Sequence, residues 1–316
     1  MSAVTLKGTH WVTVRQHRRA LWVAAAATAL SLAVLAGLRL WDASTADTYV
    51  EDGYSIPSDD NRGFGILRLA MEYAGIGMVL LPLVVGAFVA GPLIARELES
   101  GTYRLALTQS VTPTQWLRAK ILTAAAAALV VTLALMVIYR IGWGRVSGTW
   151  QLNWSDRGPY EATGIVLVAY VLLAVAVGAL LGQLIRRTLV AMTATGLFTG
   201  LVLAVLGALR WDFLPVRTVT GPISSQSGPL LIPADGLMMD MGLLTADGRR
   251  IAEWSCYDGS QNADTCYAGK GVTGQYVDYH PSTHFWPTQL IETGIVLALA
   301  ALALLAAFRV LRTRHP

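Results

Sequence analysis

Charged residues are scarce in this sequence. Only 14% of its 316 residues are Asp, Glu, Lys or Arg, and 54% are hydrophobic, whereas soluble domains carry about 25% charged residues. The charges lie between long apolar runs. This excludes an ordinary soluble domain and indicates a chain that crosses a lipid bilayer several times. The basic residues form no patch interleaved with aromatic residues, so we expect no nucleic-acid partner.

Motifs of nucleotide and hydrolytic chemistry are absent from the sequence. It contains no Gly-x-x-x-x-Gly-Lys-Ser/Thr phosphate loop, no His-Glu-x-x-His and no Gly-x-Ser-x-Gly. The fragment Ala-Gly-Lys-Gly at 268–271 lacks the first glycine and the Ser or Thr of a phosphate loop. We therefore expect a chain that is not an enzyme, with no catalytic residues, no metal and no cofactor of its own. Any energy-requiring work then needs nucleotide chemistry from another chain.

Six apolar runs are long enough to cross a bilayer. Each has about the 20 residues that a transmembrane helix needs, and each must be helical because lipid offers no partners to backbone polar groups. The predicted spans are 21–38, 73–95, 121–139, 164–185, 189–209 and 290–308. The sequence therefore predicts an all-α integral membrane protein with six transmembrane helices.

The Lys and Arg residues predict the orientation. With a cytoplasmic N-terminus, the inner side holds thirteen of the 24 Lys and Arg residues but only Glu97 and Glu99 of the 20 acidic residues. Short inner segments rich in Lys and Arg set membrane orientation. We therefore expect a multi-pass protein of the plasma membrane with both termini cytoplasmic. Arg186 and Arg187 form a minimal inner turn, so the fourth and fifth spans should be an antiparallel hairpin.

The N-terminal segment 1–20 is amphipathic. Trp11 can face lipid while Arg15 and Arg18 face headgroups, a pattern typical of an interfacial helix. A plain positive flank that sets topology is the alternative. The apolar run that follows is longer than a signal-peptide core and five more spans come after it, so we expect no cleavage.

The segment 96–120, between the second and third spans, is polar, amphipathic and basic at both ends. Two glutamates precede a break at Gly101, and Thr112 can cap a helix that begins with Pro113. A structured basic segment of this size predicts a docking surface for another protein.

Glycine and proline cluster in the second span. They are Gly75, Gly77, Pro82, Gly86, Gly91 and Pro92. Close helix packing explains them, and a moving helix that lines a pathway, kinked at Pro82, is the alternative. The fourth and fifth spans carry the motifs Gly178-x-x-x-Gly182 and Gly196-x-x-x-Gly200. These predict packing faces, either within the subunit or at a dimer interface.

Two polar segments fall on the predicted outer side. The first, 41–72, carries seven acidic residues without the spacing of a calcium loop, and we interpret it as a solvated acidic loop. The second, 210–289, is large enough to fold separately. It holds both cysteines, Cys256 and Cys266, and on the oxidising side we expect them to form a disulfide.

Two further features lie close to the last span. His280 and His284 are four residues apart, but without a third ligand they indicate a metal only weakly. Glu292, at the outer end of the last span, either snorkels to the headgroups or touches cargo.

Several stretches resemble the permease subunits of type-2 ABC exporters, most closely those of actinobacteria. They are Gly-Pro-Leu-Ile-Ala-Arg-Glu-Leu-Glu-Ser-Gly-Thr at 91–102, Thr-Gln-Ser-Val-Thr-Pro at 108–113, Trp-Leu-Arg-Ala-Lys at 116–120, Trp-Val-Thr-Val-Arg-Gln-His-Arg at 11–18 and Phe-Trp-Pro-Thr-Gln-Leu-Ile-Glu-Thr-Gly at 285–294. The resemblance extends to the number and order of the spans, and it is weakest at 41–72 and 210–280.

The resemblance implies an exporting permease. The few polar groups in the spans indicate that its substrate is apolar or amphipathic. The coupling helix of the permease would dock on a separate ATPase subunit, which would bind ATP and Mg²⁺. The coupling residues carried over are Arg96, Glu97, Glu99, Gly101, Thr102 and Pro113. Two permease copies, identical or different, would form the pathway in the bilayer, with Pro82 and Glu292 as pathway or outer-gate residues. The alternative is a membrane anchor or regulatory subunit that holds an ATPase or sensor partner and transports nothing.

The sequence thus predicts four parts. They are a cytoplasmic interfacial helix at 1–20, spans one to five with the coupling segment at 21–209, an extracellular segment at 210–289, and the last span with a cytoplasmic tail at 290–316.

Overall fold

The structure is a computed structural model that describes residues 15, 18–45, 47–51, 54–57, 61–103, 112–149, 152–223, 230–256 and 263–314. Six of the described helices are long and apolar enough to cross a membrane, which is the predicted number. The chain divides into two compact units. The membrane unit comprises Met1–Leu209 and Gln289–Pro316, and the sheet unit comprises Arg210–Thr288.

Most α-helices of the described residues lie in the predicted spans. They are α1 Arg18–Ala43, α2 Arg62–Val84, α3 Gly91–Ser100, α4 Pro113–Val146, α5 Arg157–Thr163, α6 Val166–Ile185, α7 Thr188–Leu209, α8 Ala263–Lys270 and α9 Phe285–Arg314. A π-helical turn, Val85–Ala90, joins α2 to α3, and the three together form span 2. The remaining candidate spans contain α1, α4, α6, α7 and α9. Span 2 is longer than predicted because the helix continues through flanking residues that carry charges, at 62–72 and at 96–100.

Local capping sets several helix ends. The Asn61 side chain accepts a hydrogen bond from Phe64 N at 2.9 Å at the start of α2. Thr112 caps α4 as predicted, because its hydroxyl accepts from Gln115 N while the Gln115 side chain accepts from Thr112 N. Arg186 ends α6 in the left-handed conformation, with φ of 54°. The turn between α6 and α7 is therefore as short as the sequence indicated.

The glycines of α6 and α7 pack against span 2. A Cβ on Gly178 would lie 2.4 Å from the Cβ of Ala90, and a Cβ on Gly196 would lie 3.3 Å from the Cβ of Ala87. The first distance is too short for any side chain at that position. Both Gly-x-x-x-Gly motifs are therefore contact faces within the subunit.

Strands occur in both polar segments that were predicted to lie outside. Residues of the first form the hairpin β1 Thr48–Glu51 and β2 Tyr54–Pro57. The sheet unit contains β3 Arg217–Pro222, β4 Leu237–Thr245, β5 Arg250–Ala252 and β6 Val272–His280, in the antiparallel order β3-β6-β4-β5. The all-α prediction therefore describes the spans, and the sheet is an addition to it. Val, Thr and Tyr in β6 favour the strand, since branched and aromatic side chains fit a pleated surface.

A disulfide joins Cys256 to Cys266 in the sheet unit, the pair expected from the sequence. It links the 3₁₀ turn Glu253–Cys256 to α8. Elsewhere in this unit, the Nδ1 atoms of His280 and His284 lie 2.9 Å apart. Burial lowers the pKa of His280 below its ordinary value, and the neighbouring His284 lowers it further.

The acidic residue Asp42, at the end of α1, is buried rather than solvated. Its side chain is 2% exposed and accepts hydrogen bonds from Arg145 Nε at 2.9 Å and Arg39 Nη1 at 3.1 Å. Asn61 Nδ2 donates to it at 3.2 Å, and Arg145 also pairs with Asp47. The prediction of a solvated acidic loop is therefore wrong at Asp42, because helix packing brings Arg145 to this carboxylate.

Candidate functional site

The candidate site is one end of the membrane unit, where α3 stops at Ser100 and α4 starts at Pro113. We name this end the elbow. In α3, Leu93 and Ile94 are buried while Arg96 and Ser100 are exposed. The helix stops at Gly101, whose φ is 73°. Glycine adopts this left-handed conformation without the steric cost of a Cβ. The predicted break is therefore observed at the predicted residue.

Glu97 fastens α3 to α4. Its Oε1 accepts a hydrogen bond from Lys120 Nζ at 2.6 Å, and its Oε2 accepts one from Trp116 Nε1 at 3.1 Å. The side chain of Lys120 is only 4% exposed and that of Glu97 is 19% exposed. A buried ammonium needs such a partner, since an uncompensated charge away from water is strongly destabilising.

Glu99 fastens α3 to the start of α7. Its Oε2 accepts hydrogen bonds from both the backbone N and the hydroxyl of Thr188, the first at 2.8 Å. The first N–H groups of a helix have no partner within it, and the helix dipole favours a negative charge there. The carboxylate of one span therefore completes the N-terminus of another.

An exposed basic surface remains at the elbow beside these contacts. Arg96, Thr102 and Arg118 are exposed there, and we name these three residues the elbow surface. Pro113 occupies the first turn of α4 and is partly buried. The predicted coupling residues thus lie at one end of the membrane unit, but Glu97 and Glu99 are engaged within the chain.

The other predicted site residues are placed as follows. Residues 104–111 of the coupling segment and Trp11 of the interfacial helix lie outside the described residues. Arg15 and Arg18 are helical and exposed. Pro82 is buried inside α2, just before the π-helical turn. Each of these interpretations stays a prediction.

Glu292 on α9 faces the protein interior. It is fully buried, and its Oε1 accepts a hydrogen bond from Tyr170 Oη at 2.7 Å. One turn earlier, Gln289 accepts from Val166 N at 3.0 Å and donates to Tyr160 O at 2.8 Å. The interpretation of Glu292 as a snorkelling carboxylate is therefore wrong, because its oxygen is used to join α9 to α6.

Sequence reasoning missed the partners of the two elbow glutamates. Trp116 and Lys120 are four residues apart, which places them on one face of α4, and Lys120 Nζ lies 5.8 Å from the centre of the Trp116 ring. That spacing, with a glutamate at the end of the preceding span, was the available signal. Thr188 gave none beyond its place at a helix start.

Within the described residues, no group of three or more His, Cys, Asp or Glu side chains is arranged to hold a metal ion.

The family described as ABC-2 membrane transporter related matches residues 58–210. That range contains span 2, the elbow, α4, α5, α6 and α7. No curated protein and no solved structure matches the chain.

Proposed function

We propose, from the similarity of residues 58–210 to the ABC-2 membrane transporter related family, that the chain is the transmembrane permease subunit of an ABC transporter. It exports an apolar or amphipathic substrate across the plasma membrane. A separate ATPase subunit supplies ATP hydrolysis with Mg²⁺, and a second permease copy completes the pathway. The elbow and both termini lie in the cytoplasm.

The elbow geometry is the observation that carries this proposal. A docking segment transmits force only if its connections to the spans are rigid. Here α3 is joined to α4 through Glu97 and to α7 through Glu99, while the elbow surface stays exposed for a partner. ATP binding would select one arrangement of the spans because the ATPase subunits contact the elbow differently when they close.

The polar groups of the spans support an apolar or amphipathic substrate. The hydroxyls of Thr132, Thr195 and Thr199 donate to carbonyl groups four residues earlier in their own helices, at 2.7–2.8 Å. Gln183 does the same with Ala179 O at 3.0 Å. Side chains satisfied in this way present little polarity to a passing molecule.

Reconstitution tests the proposal. The chain is co-expressed with a candidate ABC-type ATPase subunit, and the purified complex is placed in vesicles with candidate amphipathic compounds. ATP-dependent movement of a compound supports the permease. ATP hydrolysis that no compound stimulates, without net movement of any of them, supports the anchor alternative instead.

The elbow surface has its own test. Replacing Arg96 and Arg118 with Gln should weaken binding of the ATPase by roughly tenfold, about 1.4 kcal/mol. Arg62→Gln, an exposed arginine at the opposite end of span 2, is the matched control and should leave the yield of the complex unchanged. An equal yield of the complex from the wild type, the double arginine variant and Arg62→Gln would contradict docking at this surface.

A further inference from the structure

We propose that Glu97 and Glu99 are positioning residues that carry movement of the elbow into two different spans, Glu97 into α4 and Glu99 into α7. The inference rests on the proposed function and deepens it. Residues two apart on an α-helix project about 200° apart around its axis. The two carboxylates therefore reach helices on opposite sides of α3, and α3 is held between them.

The contact to α4 resists rotation of α3. Each oxygen of Glu97 has a different partner, Lys120 for Oε1 and Trp116 for Oε2. A turn of α3 about its axis would separate at least one of these pairs. Because Lys120 is buried, α4 must follow α3 to keep its ammonium group compensated.

The contact to α7 is made through the backbone. A backbone amide cannot rotate away as a side chain can, so the bond from Thr188 N to Glu99 ties the helix itself to the elbow. A second contact lies further along the same pair of helices, where a Cβ on Gly91 would be 2.7 Å from the Cα of Met192. With two fixed points, α7 follows α3 in direction as well as in position.

Glu97→Gln tests whether Glu97 carries movement of the elbow into α4. The variant complex should keep its ATPase subunit at wild-type yield, because Glu97 faces Lys120 and Trp116 rather than the elbow surface. Transport per ATP hydrolysed should fall by about tenfold, within the range for residues that couple distant sites. Exchanging the charges, with Glu97→Lys and Lys120→Glu together, restores the ion pair but leaves Trp116 Nε1 without its acceptor at position 97. The double exchange should therefore recover only part of that ratio. Loss of the ATPase subunit from Glu97→Gln would instead make Glu97 a docking residue and overturn the inference.

Glu99 needs a variant that separates capping from transmission. The carbonyl of Arg187 accepts the first intrahelical bond of α7, from Ala191 N at 2.9 Å, so Arg187 occupies the N-cap position. Asn at that position supplies a local cap. Glu99→Ala with Arg187→Asn should therefore melt like Arg187→Asn alone but transport about tenfold less per ATP hydrolysed. Equal transport per ATP hydrolysed in these two proteins would mean that Glu99 only caps α7. That result would contradict its proposed role in carrying movement into α7.

The outcomes separate this inference from the proposed function. A wild-type complex that hydrolyses ATP and moves nothing contradicts the proposed function. If the wild-type complex transports, the proposed function stands. If Glu97→Gln and the double variant Glu99→Ala with Arg187→Asn then show the same transport per ATP hydrolysed as the wild type, only the positioning role is contradicted.

Discussion

Replacing Asp42 with alanine should destabilise the membrane unit strongly. Arg145 donates to both oxygens of this carboxylate, at 2.9 and 3.1 Å, and the Asp42 side chain is 2% exposed. Removing one partner of a buried ion pair costs about 3–5 kcal/mol, mainly because the other charge is left uncompensated. Arg145 is 29% exposed and keeps Asp47 as a partner, which relieves part of that cost. We therefore expect a loss of about 2–3 kcal/mol.

Thermal unfolding in detergent measures this loss. For a unit of this size, each kcal/mol shifts the melting temperature by about 2–4 °C, so Asp42→Ala should lower it by about 4–12 °C. Asp47→Ala is the matched control, because Asp47 shares the partner Arg145 but is 54% exposed. Its shift should stay below about 4 °C, the upper end for exposed ion pairs at the same conversion. Equal shifts for the two variants would refute the claim that burial makes Asp42 the important partner.

Three further predictions concern packing, protonation and the disulfide. Gly178→Ala places a Cβ 2.4 Å from Ala90 and should lower the melting temperature by an amount equivalent to about 1–3 kcal/mol. Gly77→Ala, with nothing within 4 Å of its new Cβ, should leave that temperature unchanged or raise it, and the opposite ranking would contradict the packing described. The lowered pKa of His280 means that the folded chain binds this proton less readily than the unfolded one. Its contribution to stability is therefore present above about pH 6.5 and is lost as the pH falls through the folded value. The melting temperature should accordingly fall as the pH is lowered from 7 to 5.5, and it should fall less in His280→Gln than in the wild type. An equal fall in the two proteins would contradict a role of His280 in this pH dependence. Peptide mapping without reductant should recover Cys256 linked to Cys266, and reduction should cost about 2–3 kcal/mol in the chain-entropy model; two free thiols would contradict the pairing.

Features set by neighbouring residues could be predicted from the sequence. The spans follow from runs of apolar residues, the start of α4 from Thr112 and Pro113, and the end of α3 from Gly101. The sheet could not be predicted in this way. The pairing of β4 with β6 is irregular between Met238 and Asp240, so the strand shows no clean alternation of apolar and polar residues.

Contacts between distant residues were beyond the reach of pattern reasoning. Asp42 and Arg145 are 103 residues apart, and Glu99 and Thr188 are 89 apart. A carboxylate read in isolation looks like a solvated or docking group, because most acidic side chains are exposed. Only the packing of the helices decides which of them meets a partner inside the chain.

The π-helical turn changes which residues of span 2 face inward. Buried residues recur every 3.6 positions on average from Leu67 to Val85, and the same period points next to Val89. Inside the turn, Gly86 is buried beside Val85. Yet Val89 is 40% exposed, and Ala90 is buried instead. A turn closed by i→i+5 hydrogen bonds holds one residue more than an α turn. The inward face is therefore displaced by one position for the rest of the span.

That displacement decides the sign of the charge presented to α4. Wound as an uninterrupted α-helix, the same residues would bring Arg96 to the place that Glu97 now occupies, directly opposite Lys120. Two cations would then confront each other in a buried position. The one extra residue in the π-helical turn thus places Glu97, two turns further along, opposite Lys120, so that the contact is an attraction between opposite charges.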